Sequence, residues 1–239
     1  MMRLVSYNIL DGGEGRADPL AEVIEAQRPD VVAIIEADFP WALERIANRL
    51  KMDFIHSPGT KGSVALLSRF PIRESVNLGL LSQNKTRQNI ISHSLLRAVL
   101  TLPDQSELPI GVVQLCQGSG AAQDAARLAE ISVVLKSFEQ DRIAGRRHIL
   151  MGDFNVHAGG VIKALLDAGY QDTLAASNPT AAEKMGTYTT QNPSHRFDYI
   201  FSFGIEPAKI TEARIEQDRL AKYASDHFPV FAEIQIGQP

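Results

Sequence analysis

The sequence has little cysteine and no long apolar run. Cys116 is the one cysteine among 239 residues, which excludes an intrachain disulfide and fits a reducing compartment. No stretch approaches the roughly 18 to 20 apolar residues that cross a bilayer. Residues 1–5 already enter a strand-like pattern and lack the apolar region and cleavage site of a signal peptide. We therefore expect a soluble, cytoplasmic protein with no membrane span.

The sequence also lacks an excess of basic residues. It has 24 Lys and Arg against 28 Asp and Glu, a formal net charge of −4. Proteins that bind long duplex nucleic acid tightly usually have a basic surface patch, because neutralisation of the phosphates drives that binding. The cluster of Arg142, Arg146 and Arg147 is short. A tight DNA-binding protein is disfavoured, yet nucleic acid stays open as a substrate, because Mg²⁺ can itself offset acidic ligands.

Short β-like runs with few helices predict an α/β fold. The glycine motifs GxxxxGK[ST] and GxGxxG are absent, and strict βαβ alternation is not the pattern, so a doubly wound nucleotide fold is disfavoured. Several strands look antiparallel, which favours mixed sheets in one layered domain over residues 1–239. The predicted strands are residues 2–9, 31–35, 64–67, 72–78, 95–102, 108–115, 148–151, 197–201, 210–215 and 230–236.

Four helices are predicted between these strands. The first begins with Asp18 as N-cap and Pro19 at the first helical position, and Pro29 ends it. The others span residues 41–50, 120–140 and 161–168, the last closed by Gly169. Residues 83–88 and 175–185 are predicted as loops. The long helix is expected to bury one apolar stripe, formed by Leu128, Ile131, Leu135 and Phe138.

Polar side chains stand at the ends of several predicted strands. Asp153 and Asn155 follow Gly152 directly after the strand 148–151 and point the same way if the chain stays extended. A carboxylate beside a neutral amide can activate water and hold a phosphate oxygen. The alternative is an Asx-rich turn that caps the next helix. Asn8 and Glu36 end two further strands in the same manner.

Two later segments add an acid and an imidazole. Asp226 and His227 lie just before an apolar segment that is expected to enter the core. Asp226 offers a metal ligand or a base, and His227 is an imidazole, which titrates near neutral pH. Asp198 lies within an aromatic strand, where a buried carboxylate needs a partner such as an imidazole. The alternatives are a turn with incidental polar residues and a structural salt bridge. Hard oxygen ligands from several strand ends suit Mg²⁺-dependent phosphoryl transfer.

In order, the motifs Ser6-Tyr7-Asn8, Ile35-Glu36, Gly152-Asp-Phe-Asn155, Arg196-Phe-Asp-Tyr199 and Ser225-Asp-His227 resemble those of the endonuclease/exonuclease/phosphatase superfamily. That superfamily includes DNase-I-like and exonuclease-III-like nucleases, neutral sphingomyelinases, inositol-polyphosphate phosphatases and deadenylases. The resemblance covers nearly the whole chain and is specific for the superfamily, not for a substrate. It implies a four-layered α/β/β/α sandwich of two mixed sheets with helices outside and the active site at one sheet edge.

The resemblance also implies roles for the matching residues. Glu36 would be the principal ligand of Mg²⁺ or Mn²⁺, with Asn8 beside it and Asp226 binding or supporting the metal. Asp153 would align or deprotonate the attacking water, and Asn155 would hold a phosphate oxygen. His227 would stabilise or protonate the phosphorane-like transition state, with Asp198 fixing its ring. Attack would be in line.

One position departs from the family pattern. Many members carry His, and some nucleases Tyr, shortly after the strand that corresponds to residues 111–115. Here Cys116 or Gln117 falls near that place. Gln117 can donate a hydrogen bond, whereas Cys116 is better explained as an inert buried thiol. Further candidates are His157 as a pocket residue, His93 as a substitute imidazole, and Arg97 as a phosphate partner, each of which could equally be structural.

Three functions remain in competition. The first is a phosphodiesterase or phosphomonoesterase for a small or flexible ester, favoured by the candidate ligands and the absence of a basic face. The second is a nuclease, with Lys85, Arg87 and Arg97 as a strand-contacting region. The third is a catalytically weakened binding module, motivated by the missing His or Tyr.

Overall fold

The computed structural model describes residues 1–59, 62–81 and 92–236. Within that part of the chain there are twelve strands, eight α-helices and two short 3₁₀ turns. The strands are β1 (Met2–Asn8), β2 (Val31–Ile35), β3 (Asp53–Ser57), β4 (Val64–Ser68), β5 (Ile72–Leu81), β6 (Ser92–Thr101), β7 (Glu107–Gln114), β8 (His148–Asp153), β9 (Gln171–Asp172), β10 (Asp198–Phe203), β11 (Ile210–Ile215) and β12 (Val230–Ile234). The helices are α1 (Ala17–Ala26), α2 (Pro40–Leu50), α3 (Ala121–Ser137), α4 (Glu139–Ile143), α5 (Gly160–Asp167), α6 (Thr173–Ser177), α7 (Pro179–Lys184) and α8 (Arg219–Ala224).

The strands form two six-stranded sheets. Sheet one has the order β11-β12-β1-β2-β4-β3, and sheet two has the order β5-β6-β7-β8-β10-β9. Each sheet contains one parallel pair, β1 with β2 and β7 with β8, while the other pairings are antiparallel. Both sheets are therefore mixed, as predicted.

The sheets pack face to face, with helices on their outer faces. Along β8, Ile149 and Met151 belong to the cluster between the sheets, while Leu150 belongs to the cluster under α3 and α5. This division follows from the two-residue period of a strand, whose successive side chains point to opposite faces. The first cluster is not confined to the space between the sheets, because it also includes the buried apolar residues of the outer helices α1 and α2. The expected four-layered α/β/β/α sandwich is confirmed.

Several local predictions need correction. Helix α1 begins at Ala17, and Asp18 does not cap it, because both carboxylate oxygens of Asp18 accept hydrogen bonds at 2.6 Å from Arg45 of α2. Residues 175–185 were predicted as a loop but contribute to α6 and α7. The side chain of Asp172 caps α6, and that of Asn178 caps α7. Strands β3 and β9 and helix α8 had no counterpart in the prediction.

The buried face of α3 also differs from the predicted stripe. Ile131 is buried and Phe138 lies in the core just beyond the helix, but Leu128 is 42% exposed. The charged residues Arg127 and Glu130 are buried instead. They face a segment that follows β7, so their burial depends on contacts distant in sequence.

No helix in the described residues combines the length and apolarity needed to cross a membrane. The predicted loop at residues 83–88, which contains Lys85 and Arg87, lies outside the described residues.

Candidate active site

The parallel pairs bring four polar residues to one edge of the sandwich. Asn8 ends β1, Glu36 follows β2, Gln114 ends β7 and Asp153 ends β8. Parallel strands have their carboxyl ends at the same edge, so each sheet contributes two neighbouring residues there. The two sheets meet at this edge, because Asn8 of sheet one contacts Asp153 of sheet two.

Asn8 joins the two carboxylates. Its side chain is fully buried, and Nδ2 donates to Glu36 Oε1 at 3.0 Å and to Asp153 Oδ2 at 3.1 Å. Its Oδ1 accepts the backbone N–H of Leu10 at 3.0 Å. Ser225 Oγ donates to the Asn8 carbonyl at 2.8 Å, which ties the segment before His227 to the end of β1.

Glu36 is surrounded by donors at the cavity surface. Its backbone φ of 59° lies in the left-handed region, which is uncommon for a residue other than glycine and often marks a functional turn. Its carboxylate accepts hydrogen bonds from Gln114 Nε2 at 3.1 Å, the Asp11 backbone N–H at 2.9 Å and Gln117 Nε2 at 3.4 Å. The amide of Gln117 thus lies in the cavity beside the carboxylate of Glu36.

Asp153, Asp198 and His227 form a buried cluster. Asp198 is directly opposite Asp153 in the antiparallel pairing of β10 with β8. His227 Nδ1 donates to Asp198 Oδ2 at 2.7 Å, and His227 Nε2 lies 4.0 Å from Asp153 Oδ2. One ligand atom from each residue lies within 4.8 Å of the others, so the three groups could also surround a cation.

The charges in this cluster shift one another's pKa. Burial alone would lower the pKa of His227, but the carboxylates of Asp198 and Asp153 outweigh it and raise that pKa. Burial raises the pKa of Asp153, and the neighbouring Asp198 raises it further against the opposing charge of His227. The geometry therefore favours a protonated imidazole between two acids.

Asn155 stands beside Asp153 in a tight turn. Its backbone N–H donates to Asp153 Oδ1 at 2.8 Å and its Nδ2 donates to the Leu115 carbonyl at 2.9 Å. A carboxamide nitrogen has two hydrogens, so one remains for a ligand. Gly152 allows the close packing behind this turn, because a Cβ there would lie 1.9 Å from the Val113 carbonyl oxygen.

Asp226 completes the acidic side of the cavity. Its Oδ1 is buried and has no hydrogen-bond partner within the described residues. Burial raises the pKa of Asp226 and the charge of Glu36 raises it further, opposed by His227. The charges of Asp226 and Glu36 therefore repel each other, and one oxygen of Asp226 is left unsatisfied.

Glu36, Asp153, Asn155, Asp226 and His227 open onto one cavity of about 720 Å³. Five carboxylates line it, and no Lys or Arg is found among its described lining residues. Its lining residues are Leu10, Asp11, Glu36, Asp38, Gly62, Gln117, Gly118, Ser119, Asp153, Asn155, Tyr188, His195, Phe197, Asp226 and His227. An unpartnered Asp226 oxygen in such a setting fits a hard divalent cation, which prefers oxygen ligands.

Three sequence candidates lie elsewhere. The structure does not place Arg97 at the cavity, because its side chain projects from β6 toward α4, donates to Asp141 Oδ2 at 2.8 Å and covers the Phe138 ring. His157 is exposed and outside the cavity lining, and its Nδ1 accepts the Arg196 N–H at 3.0 Å. His93 is buried, and its Nδ1 donates to Glu130 at 2.9 Å.

Sequence reasoning missed part of the lining. Asp11 and Asp38 follow Asn8 and Glu36 by three and two residues, a spacing after strand ends that could have identified them. Tyr188, His195 and Phe197 form an aromatic wall on the side of His227, with 4.8 Å between the ring centroids of Tyr188 and His227. No local sequence pattern predicts this wall, because Tyr188 comes from one segment and His195 and Phe197 come from another.

The sequence profile of the endonuclease/exonuclease/phosphatase family matches residues 5–227, which span every group described above. The chain belongs to this family. Members of the family are nucleases and phosphatases that act on phosphate esters, and its enzymes depend on divalent metals. No curated protein sequence matches this family member.

Solved structures of the family share the fold. A family protein from Beutenbergia cavernae has 20% identity and a TM-score of 0.79 over 97% of this chain and 70% of that one. A mannosyl-6-phosphatase from Bacteroides thetaiotaomicron has 21% identity and a TM-score of 0.77 over 98% and 99%. A 3′ phosphatase from Neisseria, bound to a product DNA hairpin, has 17% identity and a TM-score of 0.75 over 98% and 100%. At such identities the likeness establishes the fold alone.

Proposed function

We propose that this protein is a metal-dependent phosphoesterase that hydrolyses a small or flexible phosphodiester or phosphomonoester by in-line attack of an activated water. One observation carries the proposal. The cavity combines the carboxylates of Glu36, Asp153 and Asp226 with an imidazole, and its described lining residues include no Lys or Arg. A phosphate would be repelled from such a cavity unless a divalent cation offset the negative charge.

Glu36 and Asp226 would hold that cation, Mg²⁺ or Mn²⁺, with Asn8 beside them. The unpartnered Asp226 oxygen supports this choice. The cluster of Asp153, Asp198 and His227 is the weaker candidate, because a protonated imidazole whose Nδ1 is bonded to Asp198 is no metal ligand. When bound, the cation neutralises charge on the phosphate and on the leaving oxygen.

Asp153 would orient the attacking water and take its proton. Its carboxylate is held from two sides, by Asn8 Nδ2 at 3.1 Å and by the Asn155 N–H at 2.8 Å. A base fixed in this way loses little entropy when it engages the water. The shortage of solvent around it strengthens its interaction with a proton.

His227 would stabilise the pentacovalent transition state and donate the proton on Nε2 to the leaving oxygen. Asp198 holds the opposite ring nitrogen, which fixes both the orientation and the charge of the imidazole. The neutral amides of Asn155 and Gln117 would bind phosphate oxygens without adding charge. Gln117 would thus occupy the place where many family members have an imidazole.

The aromatic wall of Tyr188, His195 and Phe197 would contact the organic part of the ester. The cavity volume of about 720 Å³ suits a sugar or a nucleoside rather than a long duplex. The net charge of −4 points the same way, because duplex binding relies on phosphate neutralisation by basic side chains.

The test is a panel of esters with Mg²⁺, Mn²⁺ or EDTA. It should contain a sugar 6-phosphate, a generic aryl monoester, an aryl diester, a phospholipid headgroup, a 3′-phosphorylated oligonucleotide and plasmid DNA. We expect metal-dependent turnover of a small ester that Asp153→Ala abolishes. Asp141→Asn is the matched control, because Asp141 is also a buried carboxylate but pairs with Arg97 and Arg146 away from the cavity. Absence of both turnover and metal binding would end the proposal.

The same panel of substrates also tests two other functions. Salt-sensitive nicking of plasmid or digestion of single strands, lost in Asp153→Ala, would identify a nuclease. The nucleic acid held by the Neisseria phosphatase supports including that arm. Metal binding without turnover of any ester would identify a binding module.

A further inference from the structure

Two buried charged side chains and a buried imidazole lie beside the cavity but take no part in the proposed reaction. Glu130 and Arg127, both on α3, are 1% and 3% exposed, and His93 on β6 is 4% exposed. Burying charged groups costs several kcal/mol unless they are well paired, and apolar side chains of similar size would serve a helix face at least as well. The presence of Arg127 and Glu130 on the inner face of α3 therefore calls for a specific role.

The contacts of Glu130 and Arg127 with the backbone converge on one short segment after β7, while Arg127 Nη2 also pairs with Asp124 Oδ1 on the same helix at 2.6 Å. Glu130 Oε2 accepts the Cys116 N–H at 2.7 Å, and Glu130 Oε1 accepts from His93 Nδ1 at 2.9 Å. Arg127 Nη1 donates to the carbonyls of Cys116 and Gly118, each at 2.8 Å. Two side chains one helical turn apart thus bind one N–H and two carbonyls of residues 116–118.

This segment brings Gln117 to the cavity. Gln117 Nε2 lies 3.4 Å from Glu36 Oε1, and the adjoining Gly118 and Ser119 also line the cavity. Gly118 lies in the segment and Gly120 follows it, both with positive φ, so the backbone here does little to fix its own path. The bonds from α3 restrict it instead.

We propose that Glu130 and Arg127, with His93 supporting Glu130, are positioning residues that fix the 116–118 segment and so aim Gln117 at the substrate phosphate. The role of Gln117 rests on the proposed function, whereas the fixing of the segment does not. A neutral amide has one useful orientation, unlike a freely rotating ammonium, so it depends on a backbone held in place.

Cys116 provides a readout that is independent of activity. It is the one thiol in the chain, is partly exposed and lies within the segment, so the rate of thiol labelling reports on that segment alone. Burial and the charge of Glu130 raise the pKa of this thiol. Labelling by an aromatic disulfide reagent is therefore compared at the plateau of its pH profile, where the thiol is fully ionised in every variant.

We expect Glu130→Ala to raise the plateau labelling rate about tenfold, because a hydrogen bond to a charged group is lost. Glu130→Gln keeps the size and one acceptor and should stay within about threefold of the wild type. Arg127→Lys is the milder second variant and should fall between them, since an ammonium cannot reproduce the fork of the guanidinium. Asp141→Asn is the matched control and should label at the wild-type rate. Equal rates in all five proteins would overturn the proposal.

A double-mutant cycle connects the segment to turnover. If Glu130 acts through Gln117, then Glu130→Ala should lower kcat when Gln117 is present. In the Gln117→Ala background the same substitution should lower kcat little further. The conservative variant Glu130→Gln should retain most of the wild-type kcat. Additive losses would overturn the link between Glu130 and Gln117. Should no ester be hydrolysed at all, the labelling rates still decide whether α3 fixes the segment, so failure of the proposed function is separately visible.

Discussion

His227 and Asp198 are joined by a hydrogen bond of 2.7 Å from Nδ1 to Oδ2, entirely shielded from solvent on the carboxylate side. The bond leaves Nε2 directed toward the region of Asp153, 4.0 Å from its Oδ2. The pair thus presents a single N–H to the cavity in a defined orientation.

Replacing Asp198 by Asn should lower kcat by about 10²-fold or more while KM changes little, because the imidazole loses the charge that keeps it protonated and oriented. His227→Gln should give a loss of similar size. Since the two side chains act as one unit, the double variant should be scarcely worse than either single variant. Initial rates on the best ester of the panel measure this, and multiplicative losses would mean that the two residues work separately.

If Glu36 and Asp226 bind a divalent cation, that cation should stabilise the folded protein. A cation that binds only the folded state at about 100 times its Kd adds about 2.7 kcal/mol to the free energy of unfolding. For a chain of this size that corresponds to a rise in Tm of roughly 5 to 10 °C. Differential scanning fluorimetry with Mg²⁺ or Mn²⁺ against EDTA measures the rise.

The same experiment distinguishes the two candidate ligand sets. Glu36→Gln and Asp226→Asn should abolish most of the rise. Asp226→Asn should also raise Tm in EDTA, because burial and the charge of Glu36 both disfavour the carboxylate charge that it removes. Asp141→Asn should keep the full rise. A rise that survives in both cavity variants but disappears in Asp198→Asn would assign the cation to the cluster of Asp153, Asp198 and His227 instead.

The sequence was sufficient to predict the architecture and much of the cavity for physical reasons that particular residues illustrate. Asn8, Glu36 and Asp153 follow apolar runs, and parallel pairing gathers such strand ends at one edge. Asp198 was expected to need a partner because it interrupts an aromatic strand, and its partner is His227. Local pattern and the cost of burying charge were enough for the mixed sheets and for the partner of Asp198, whereas the four-layered sandwich and the site at one sheet edge are what the family resemblance implied.

The remaining features depend on contacts between distant segments. Arg97 looked available for phosphate, but the alternation of side chains along β6 turns it toward α4 and Asp141. Asp18 looked like a helix cap, but Arg45 on the neighbouring helix binds both of its oxygens. Arg127 and Glu130 lie outside the apolar stripe predicted for α3, yet they are buried, because they bind a segment that helical periodicity cannot identify.

A backbone prediction concerns Gly152, where β8 passes closest to β7. Its φ is 148°, and an added Cβ would lie 1.9 Å from the Val113 carbonyl oxygen. Gly152→Ala should therefore force the parallel pair apart and cost at least about 3 kcal/mol in the free energy of unfolding. Gly79→Ala on β5 is the control, because no atom lies within 4 Å of its Cβ position. Urea unfolding of both variants measures the difference, and equal stability would contradict the close approach of the strands.

The last prediction concerns a histidine remote from the cavity. His148 is fully buried between the rings of Phe138 and Phe203, at centroid distances of 4.9 and 4.7 Å. Its Nδ1 donates to the Arg146 carbonyl and its Nε2 accepts from the Tyr170 hydroxyl, each at 2.8 Å. Burial lowers the pKa of His148 and outweighs the opposing bond to the Arg146 carbonyl.

Because this pKa is lower in the folded state, the unfolded chain binds more protons, and the free energy of unfolding should fall as pH drops through about 6.5. His148→Phe keeps the ring stack but loses both hydrogen bonds, so at pH 8 it should be about 1 to 3 kcal/mol less stable than the wild type. It has no imidazole to protonate at this site, so the gap between the two proteins should narrow between pH 7.5 and 5.5. Urea titrations across that range measure the gap, with His195→Gln, at an exposed position, as control. A gap that stays constant or widens toward acid would show that His148 is not buried in its neutral form.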